Sequence, residues 1–449
     1  MRRKFTSYSV YDSKVIKAGM LNCAEQFNIF CLLDNHQYDF HSPLFECLLG
    51  AGVTYSTEYK SGNAIEELNS FIQQHDDWIF GHLSYDLKNE IEILSSVNHD
   101  EIDFPELFFF VPKVVILLTR TELQIGVIDM EADEIYNAII SGTKYLQATI
   151  GVSSGKVTPN MGISDDTIES KYSPPFIKSR FSYKDYIDTV IKLKAHILRG
   201  DCYEINFCQE FYANEAEIDP AVIYQKLSAL SPNPFAALYK LNDKYCICES
   251  PERYIQKIGN RLISQPMKGT AARDDKSILS DHENRNILLT SKERSENVMI
   301  VDLVRNDLAK VCKEGSVTVD ELYGIYEFPL VYQMISTISG LIDEDVTLDK
   351  IVRATFPMGS MTGAPKVKVM QLIEQYEKSR RGLFSGSIGY INPSRDFDFN
   401  VVIRSILYNS SAKYLSIQVG SAITYHSNPE KEYEECQLKI SAIRKVLQQ

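Results

Sequence analysis

The chain has 449 residues, 44% of them hydrophobic and 24% charged, with a formal net charge of −13. That length allows two domains or one unusually large sandwich, and the composition is that of an ordinary globular protein. The acidic balance disfavours nonspecific binding to nucleic acid or an anionic membrane, so an anionic ligand would need a locally cationic pocket.

At the N-terminus, MRRKFTSYSV lacks the apolar stretch of a secretory signal, which predicts a cytoplasmic protein with reduced thiols. Strand-like runs follow at Phe27 to Leu33, Trp78 to Ser84 and Leu107 to Leu118, with a polar helical stretch at Ala64 to Gln74. The apolar runs are strand-sized and predict no transmembrane helix. Residues 151–180, rich in Gly, Ser, Pro and charge, predict a linker between a region 1–150 and a region 181–449. Beyond it, Ser182 predicts a helix N-cap, followed by an apolar stripe from Ile187 to Leu198 that Gly200 stops. In DCYEINFCQEF, alternation puts Tyr203, Ile205 and Phe207 on one face and Glu204, Asn206 and Cys208 on the other. More strands are predicted at Tyr245 to Ser250, Arg261 to Gln265, Leu383 to Ile391, Asn400 to Leu407 and Tyr414 to Gln418. Helices are predicted at Asp281 to Lys310, Pro365 to Lys378 and Glu430 to Leu447. Strand runs interrupted by long helices predict α+β layers rather than a βαβ repeat. Nine scattered cysteines without a C-x-x-C pair read as small core residues, not as a disulfide framework or zinc site.

Several stretches could carry chemistry. SQPMKGTAAR sets Lys268 in a turn, either as a solvated residue or as an attacking amine. Glu293 and Glu296 share a helical face, as do Glu432, Glu435 and Lys439. Acid pairs on two helices suit a hard cation, Mg²⁺ above all, although such pairs are more often solvated faces. FPMGSMTGAPKVKVM offers backbone amides and a helix start at Pro365 to an anion, or is simply a turn and cap; it lacks P-loop spacing. Gly420 to Ala422 form a second small-residue loop. Arg404 lies in an apolar strand run, so a carboxylate or an anionic ligand should face it. Glu252, after Pro251, is a surface acid or a general acid.

QPMKGTAAR, SENVMIVDLVRNDL, FPMGSMTGAPKV, GSIGY, IRS and EYEECQLK, in this order and at these intervals, resemble the chorismate-utilising enzymes. The match is dense over Phe181 to Leu447, and GHLSYDLKNEIE, Gly81 to Glu92, extends it loosely towards the N-terminus. The resemblance implies one large α+β structure, two antiparallel sheets packed face to face with helices outside. Residues 1–150 would form its N-terminal region and 181–449 its chorismate-binding catalytic part.

The P-x-K-G-T form of the turn resembles the branch that aminates chorismate, whereas the branches making anthranilate, isochorismate and salicylate carry alanine there. The resemblance therefore implies that Lys268 attacks the second ring carbon of chorismate as the hydroxyl on the fourth carbon leaves. Ammonia then adds at the fourth carbon and expels the lysine, giving 4-amino-4-deoxychorismate for 4-aminobenzoate and folate synthesis. Such a lysine would need its pKa lowered by desolvation or a cationic neighbour. Glu252 would protonate the departing hydroxyl. Glu296 and Glu435 would bind Mg²⁺ directly, and Glu293 and Glu432 through water. Tyr390, Arg404, Gly420 and Lys439 would contact the substrate carboxylates, and Thr270 and Thr362 would line the pocket.

Gln333 stands where many relatives have a histidine tied to pyruvate elimination, which disfavours an anthranilate product. Glu204 replaces the glutamine, or the water-activating lysine, of relatives, which disfavours attack by water. Asp34 and Asn35 depart from the family's tryptophan-regulatory segment, so feedback by tryptophan is not expected. No G-x-C-x-G loop with a downstream histidine-glutamate pair is present, so ammonia would come from a separate class I glutaminase. The rivals are an anthranilate-forming enzyme and a noncatalytic protein of this fold that only binds a partner or ligand.

Overall fold

The computed structural model describes residues 3–38, 45–60, 62–142, 172–273, 278–329 and 331–448. Two antiparallel sheets pack face to face. The first has 12 strands and runs from Lys4–Ser9 at one edge, through Ile29–Asp34, Phe235–Leu241 and Lys244–Ser250, to Tyr414–Ile423, Glu204–Ala213 and the short Gly363–Ala364. The second has 10 strands, from Met267–Ala272 and Val331–Leu341 at one side to Ser387–Ile391, Ile79–Leu83, Leu107–Val111 and Tyr55–Tyr59. Residues before 150 enter both sheets: Ile29–Asp34 pairs with Phe235–Leu241, and Ile79–Leu83 with Ser387–Ile391. Most of the expected linker, 151–171, lies outside the described residues, while Lys178–Ser179 pairs with the strand Glu204–Ala213.

Strand alternation explains the layering. Cys31, Leu48, Ala237, Tyr239 and Cys208 point between the sheets, towards the face of the second sheet that carries Phe80, Phe110 and Tyr390. Their neighbours Phe30, Leu32, Leu49, Leu238 and Phe207 point outwards beneath helices, against Met20, Ile135, Tyr186, Leu227 and Ile443. The first sheet is thus buried on both faces, which is why its strands read as near-continuous apolar runs. All nine cysteines are free, eight of them buried, as their scatter predicted.

The helix Tyr183–Leu198 forms as its cap predicted, with the Ser182 hydroxyl accepting from the Asp185 N–H. Ala64–Gln74 and Arg261–Gln265 also match their predicted bounds. Other elements are corrected. Asp281 to Lys310 is two helices, Ile278–Ile287 and Ser291–Ala309, parted where Leu288 turns into a small core with Ala271, Tyr332 and Met334. Glu430 to Leu447 divides into Pro429–Lys439 and Ser441–Leu447. Leu107 to Leu118 is two strands of different sheets, Leu107–Val111 in the second and Val114–Leu118 in the first, parted at Pro112, and Asn400 to Leu407 is interrupted before Ser405–Asn409. Pro365 is an N-cap rather than the first helical residue of Lys366–Tyr376. The helix Ser13–Ala24, capped by Asp12, was not anticipated.

Candidate active site

Lys268 sits in the strand Met267–Ala272, not in a free turn. Opposite Val331–Leu341 the pairing runs Met267 to Ile335 and then Thr270 to Gln333, so Lys268 and Gly269 form a bulge. Bulges re-aim side chains. Gly269 takes φ +88°, and a Cβ there would lie 3.1 Å from Glu293 Oε2 and 3.2 Å from Leu288 Cδ2. The bulge sends the lysine across the sandwich, where its Nζ donates to Glu204 Oε1 at 2.7 Å. Glu204 is only 1% exposed, and its Oε2 has no hydrogen-bond partner among the described residues. The polar face foreseen for Glu204 and Asn206 is therefore the inner one, at the end of the sandwich where the apolar filling stops.

Burial opposes the charge on Lys268, but the carboxylates of Glu204, Glu296 and Glu435 outweigh it and hold the amine's pKa above the usual lysine value. This corrects the expectation of a depressed pKa: the charges that act on the lysine most strongly are carboxylates.

Glu252 lies buried in the turn between Lys244–Ser250 and Arg253–Ile258. Burial pushes its pKa up to about 7, against the opposing effects of the Ser360 hydroxyl, the Met267 N–H and the charge of Lys268. It lines a cavity of about 350 Å³ with Ser264, Pro266, Asp307, Thr355 and Ser360. The loop that supplies Ser360 is pinned to the Glu204 strand, since Asn206 donates to Ser360 O at 2.9 Å and its N–H to Thr362 O at 2.8 Å. The sequence places Asn206 on the face of Glu204 and Ser360 in the small-residue loop, but assigns neither side chain a role in the site. Alternation with Glu204 was the available signal for Asn206.

Thr362 is fully buried, and its hydroxyl donates back to Met358 O at 3.0 Å, so it braces the loop rather than facing the cavity. Thr270 is exposed, opposite Gln333, whose buried amide has no partner on either atom among the described residues. Gly420 belongs to the strand Tyr414–Ile423, not to a loop, and faces Cys208 and Asn206. Lys439 donates to Gly420 O at 2.7 Å and pairs with Glu435 at 2.6 Å.

Arg404 lies in the interruption before Ser405–Asn409, with φ +50°, which corrects its strand assignment. Among the described residues its guanidinium has no hydrogen bond or ion pair, and burial lowers its pKa to about 10. An unpaired, desolvated cation calls for an anion. Its loop is tied to the Glu252 turn by the Val401 N–H, which donates to Glu252 O at 3.0 Å. Tyr390 is placed elsewhere. Its ring packs on Phe45, Trp78 and Phe80, and it lines a separate cavity of about 550 Å³ with Asp34, Tyr38, Arg253 and Asp398.

Of the four acids considered for a metal, Glu432 is buried and Glu293 half-buried beside Gly269. Glu296 and Glu435 come from different helices and act on the same amine. No three His, Cys, Asp or Glu side chains form a metal cluster among the described residues. Two converging carboxylates fit a cation that keeps several waters, as Mg²⁺ does.

The chorismate binding enzyme family matches residues 34–445. The chain is 30% identical over 374 residues to aminodeoxychorismate synthase component 1 of Bacillus subtilis, covering 82% of this chain and 76% of that protein. It is also 30% identical over 388 residues to an anthranilate synthase component I-like protein of Synechocystis, covering 86% and 76%. Among solved structures, anthranilate synthase component I of Streptococcus pneumoniae superposes with a TM-score of 0.72 at 22% identity, covering 91% of this chain and 94% of that one. Its two-sheet fold is shared here.

Proposed function

Because the chain belongs to the chorismate binding enzyme family, we propose that it is a cytoplasmic enzyme converting chorismate and ammonia to 4-amino-4-deoxychorismate, towards 4-aminobenzoate and folate. The observation that carries this reading is the half-buried Lys268 amine, aimed by its bulge to the end of the sandwich where Glu204 and Glu252 lie. Lys268 attacks the second ring carbon while Glu252 protonates the hydroxyl leaving the fourth. With its pKa raised by burial to about 7, a large share of Glu252 keeps that proton at neutral pH. Ammonia then takes the fourth carbon and expels the lysine. Splitting one displacement into two in this way needs a positioned nucleophile, which the bulge supplies.

Arg404 would receive a substrate carboxylate, Lys439 and Gly420 would flank it, and Thr270 would stand at the mouth. Glu296 and Glu435 would hold Mg²⁺, with Glu293 and Glu432 acting through water, and when bound the cation supplies an electrophilic partner for the ring carboxylate. The ammonia is proposed to come from a separate class I glutaminase subunit. Mass spectrometry after incubation with chorismate, Mg²⁺ and an ammonium salt tests the reading. 4-Amino-4-deoxychorismate is expected. Anthranilate with pyruvate would replace this assignment by the anthranilate-forming one, and unchanged chorismate would leave a binding protein.

A further inference from the structure

Lys268 cannot attack as an ammonium ion, and the carboxylates around it favour that charge: Glu204 on the first sheet, Glu296 on the helix Ser291–Ala309, Glu435 on the helix Pro429–Lys439. A proton must leave the nitrogen before its lone pair is available. Of these acids, Glu204 is the one in contact with it, at 2.7 Å and among the most buried, with the second carboxylate oxygen unpartnered among the described residues. A carboxylate whose only task was to clamp the two sheet edges together would have both oxygens satisfied.

We propose, building on the covalent reading above, that Glu204 is the catalytic base that takes the proton from Lys268 and returns it when the lysine is expelled. In the first half, the proton on Nζ passes to the Glu204 carboxylate. The freed lone pair then forms the bond to the second ring carbon, the two ring double bonds shift, and the C4–O bond breaks with the hydroxyl taking a proton from Glu252 and leaving as water. Nζ is now a secondary ammonium, Glu204 is neutral and Glu252 is charged, so the total charge is unchanged. In the second half, ammonia bonds to the fourth carbon, the double bonds shift back, and the bond to Nζ breaks with its electron pair staying on nitrogen. Glu204 returns its proton to that neutral amine, and Glu252 recovers one from the new ammonium group. The ion pair seen here is the resting state of this cycle.

The test follows the Lys268 adduct, chorismate less one water, by intact mass in enzyme given chorismate and Mg²⁺ without a nitrogen source, between pH 6 and 9. In the wild type the proton stays inside the site, so the rate of adduct formation should depend only weakly on pH below 7. Glu204→Gln keeps the size and a hydrogen bond but cannot accept the proton. Its adduct should form about 100-fold more slowly at pH 7, on the usual scale of a positioned base, and below pH 7 the rate should climb close to tenfold per pH unit as lysine loses its proton to solvent, levelling above it as Glu252 loses its own. Glu204→Asp should restore the shallow profile at a lower rate, which a merely structural contact would not do. A wild-type rate and profile in Glu204→Gln, or a Glu204→Asp profile as steep as that of Glu204→Gln, overturns the role of Glu204 and leaves the covalent route standing. No adduct in the wild type overturns both.

Discussion

Of the ion pairs that meet the strand Glu204–Ala213, two are built in opposite ways. Arg381 and Glu377 are both buried, and every group finds a partner: Arg381 donates to Glu377 Oε1 at 2.6 Å and Oε2 at 2.9 Å, to Met361 O and to Asn206 O, while Glu377 also accepts the Cys208 N–H. Lys268 and Glu204 share one contact, leave an oxygen unpartnered and stand among further acids. The first pair locks the strand and the Ser360 loop into register. The second stands among further acids that favour the lysine's charge. A complete hydrogen-bond set marks the pair that holds the fold, and an incomplete one marks the pair available for chemistry.

Removing each cation in turn should separate these roles. Arg381→Met leaves Glu377 buried without its partner and should cost about 3–5 kcal/mol of stability, read as a lower denaturant midpoint. Enzyme that remains folded should still form the Lys268 adduct. Lys268→Ala should do the reverse to catalysis, lowering ammonia-dependent turnover by about 100-fold or more and abolishing the adduct. If Lys268→Ala retained wild-type turnover while Arg381→Met lost the adduct in its folded fraction, the assignment of the two pairs would have to be exchanged.

Glu252 sharpens the contrast through pH. Its folded pKa of about 7 exceeds the ordinary carboxyl value of 4.5, so the carboxyl favours the folded state in its neutral form. That contribution is complete below about pH 4.5 and is lost as pH rises through 7. Glu252→Gln, which stays neutral, should therefore gain roughly 2–3 kcal/mol relative to the wild type at pH 8 and little at pH 4. As the general acid, Glu252 acts while protonated, so wild-type kcat/KM should fall above about pH 7 and the variant should be slow without that limb. Chemical denaturation and rate profiles over the same pH range check both statements. Equal stability of the two proteins at pH 8 would mean that burial does not raise the pKa of Glu252.

The sequence carried local patterns well and cross-sheet meetings poorly. Alternation placed Glu204, Asn206 and Cys208 on one face because a strand buried on both sides keeps strict period two. The motifs placed Lys268, Glu252, Glu296 and Glu435 in one neighbourhood. They misplaced Tyr390, which lies on a strand of the second sheet and lines the other cavity, and they gave Thr362 a pocket role where its hydroxyl closes a turn. Arg404 looked like a strand residue because FNVVIRSI is apolar throughout, and only tertiary packing shows the break at positive φ. The Lys268–Glu204 contact joins residues 64 apart on different sheets, beyond any periodic signal. The bulge that makes it is visible only in the pairing with Val331–Leu341.

That bulge gives the smallest and most local test. Gly269 has φ +88°, where an L side chain is strained, and a new Cβ would press on Glu293 and on Leu288. Gly259, in the hairpin between Arg253–Ile258 and Arg261–Gln265, has φ +59° with nothing within 4 Å of a Cβ. Gly259→Ala therefore reports backbone strain alone, about 1 kcal/mol, and should leave turnover unchanged. Gly269→Ala should cost about the same strain plus a few tenths of a kcal/mol for the displaced neighbours. It should also slow adduct formation about tenfold, because a shift well under 1 Å in a reacting nitrogen is felt at the barrier. The Glu293 side chain can swing away. Leu288 is held by Ala271, Tyr332 and Met334, so the backbone at Lys268 is what must yield. Midpoints of denaturation compared with adduct rates for the two variants decide the matter: equal stability losses with equal, undiminished rates would show that the bulge does not aim the lysine.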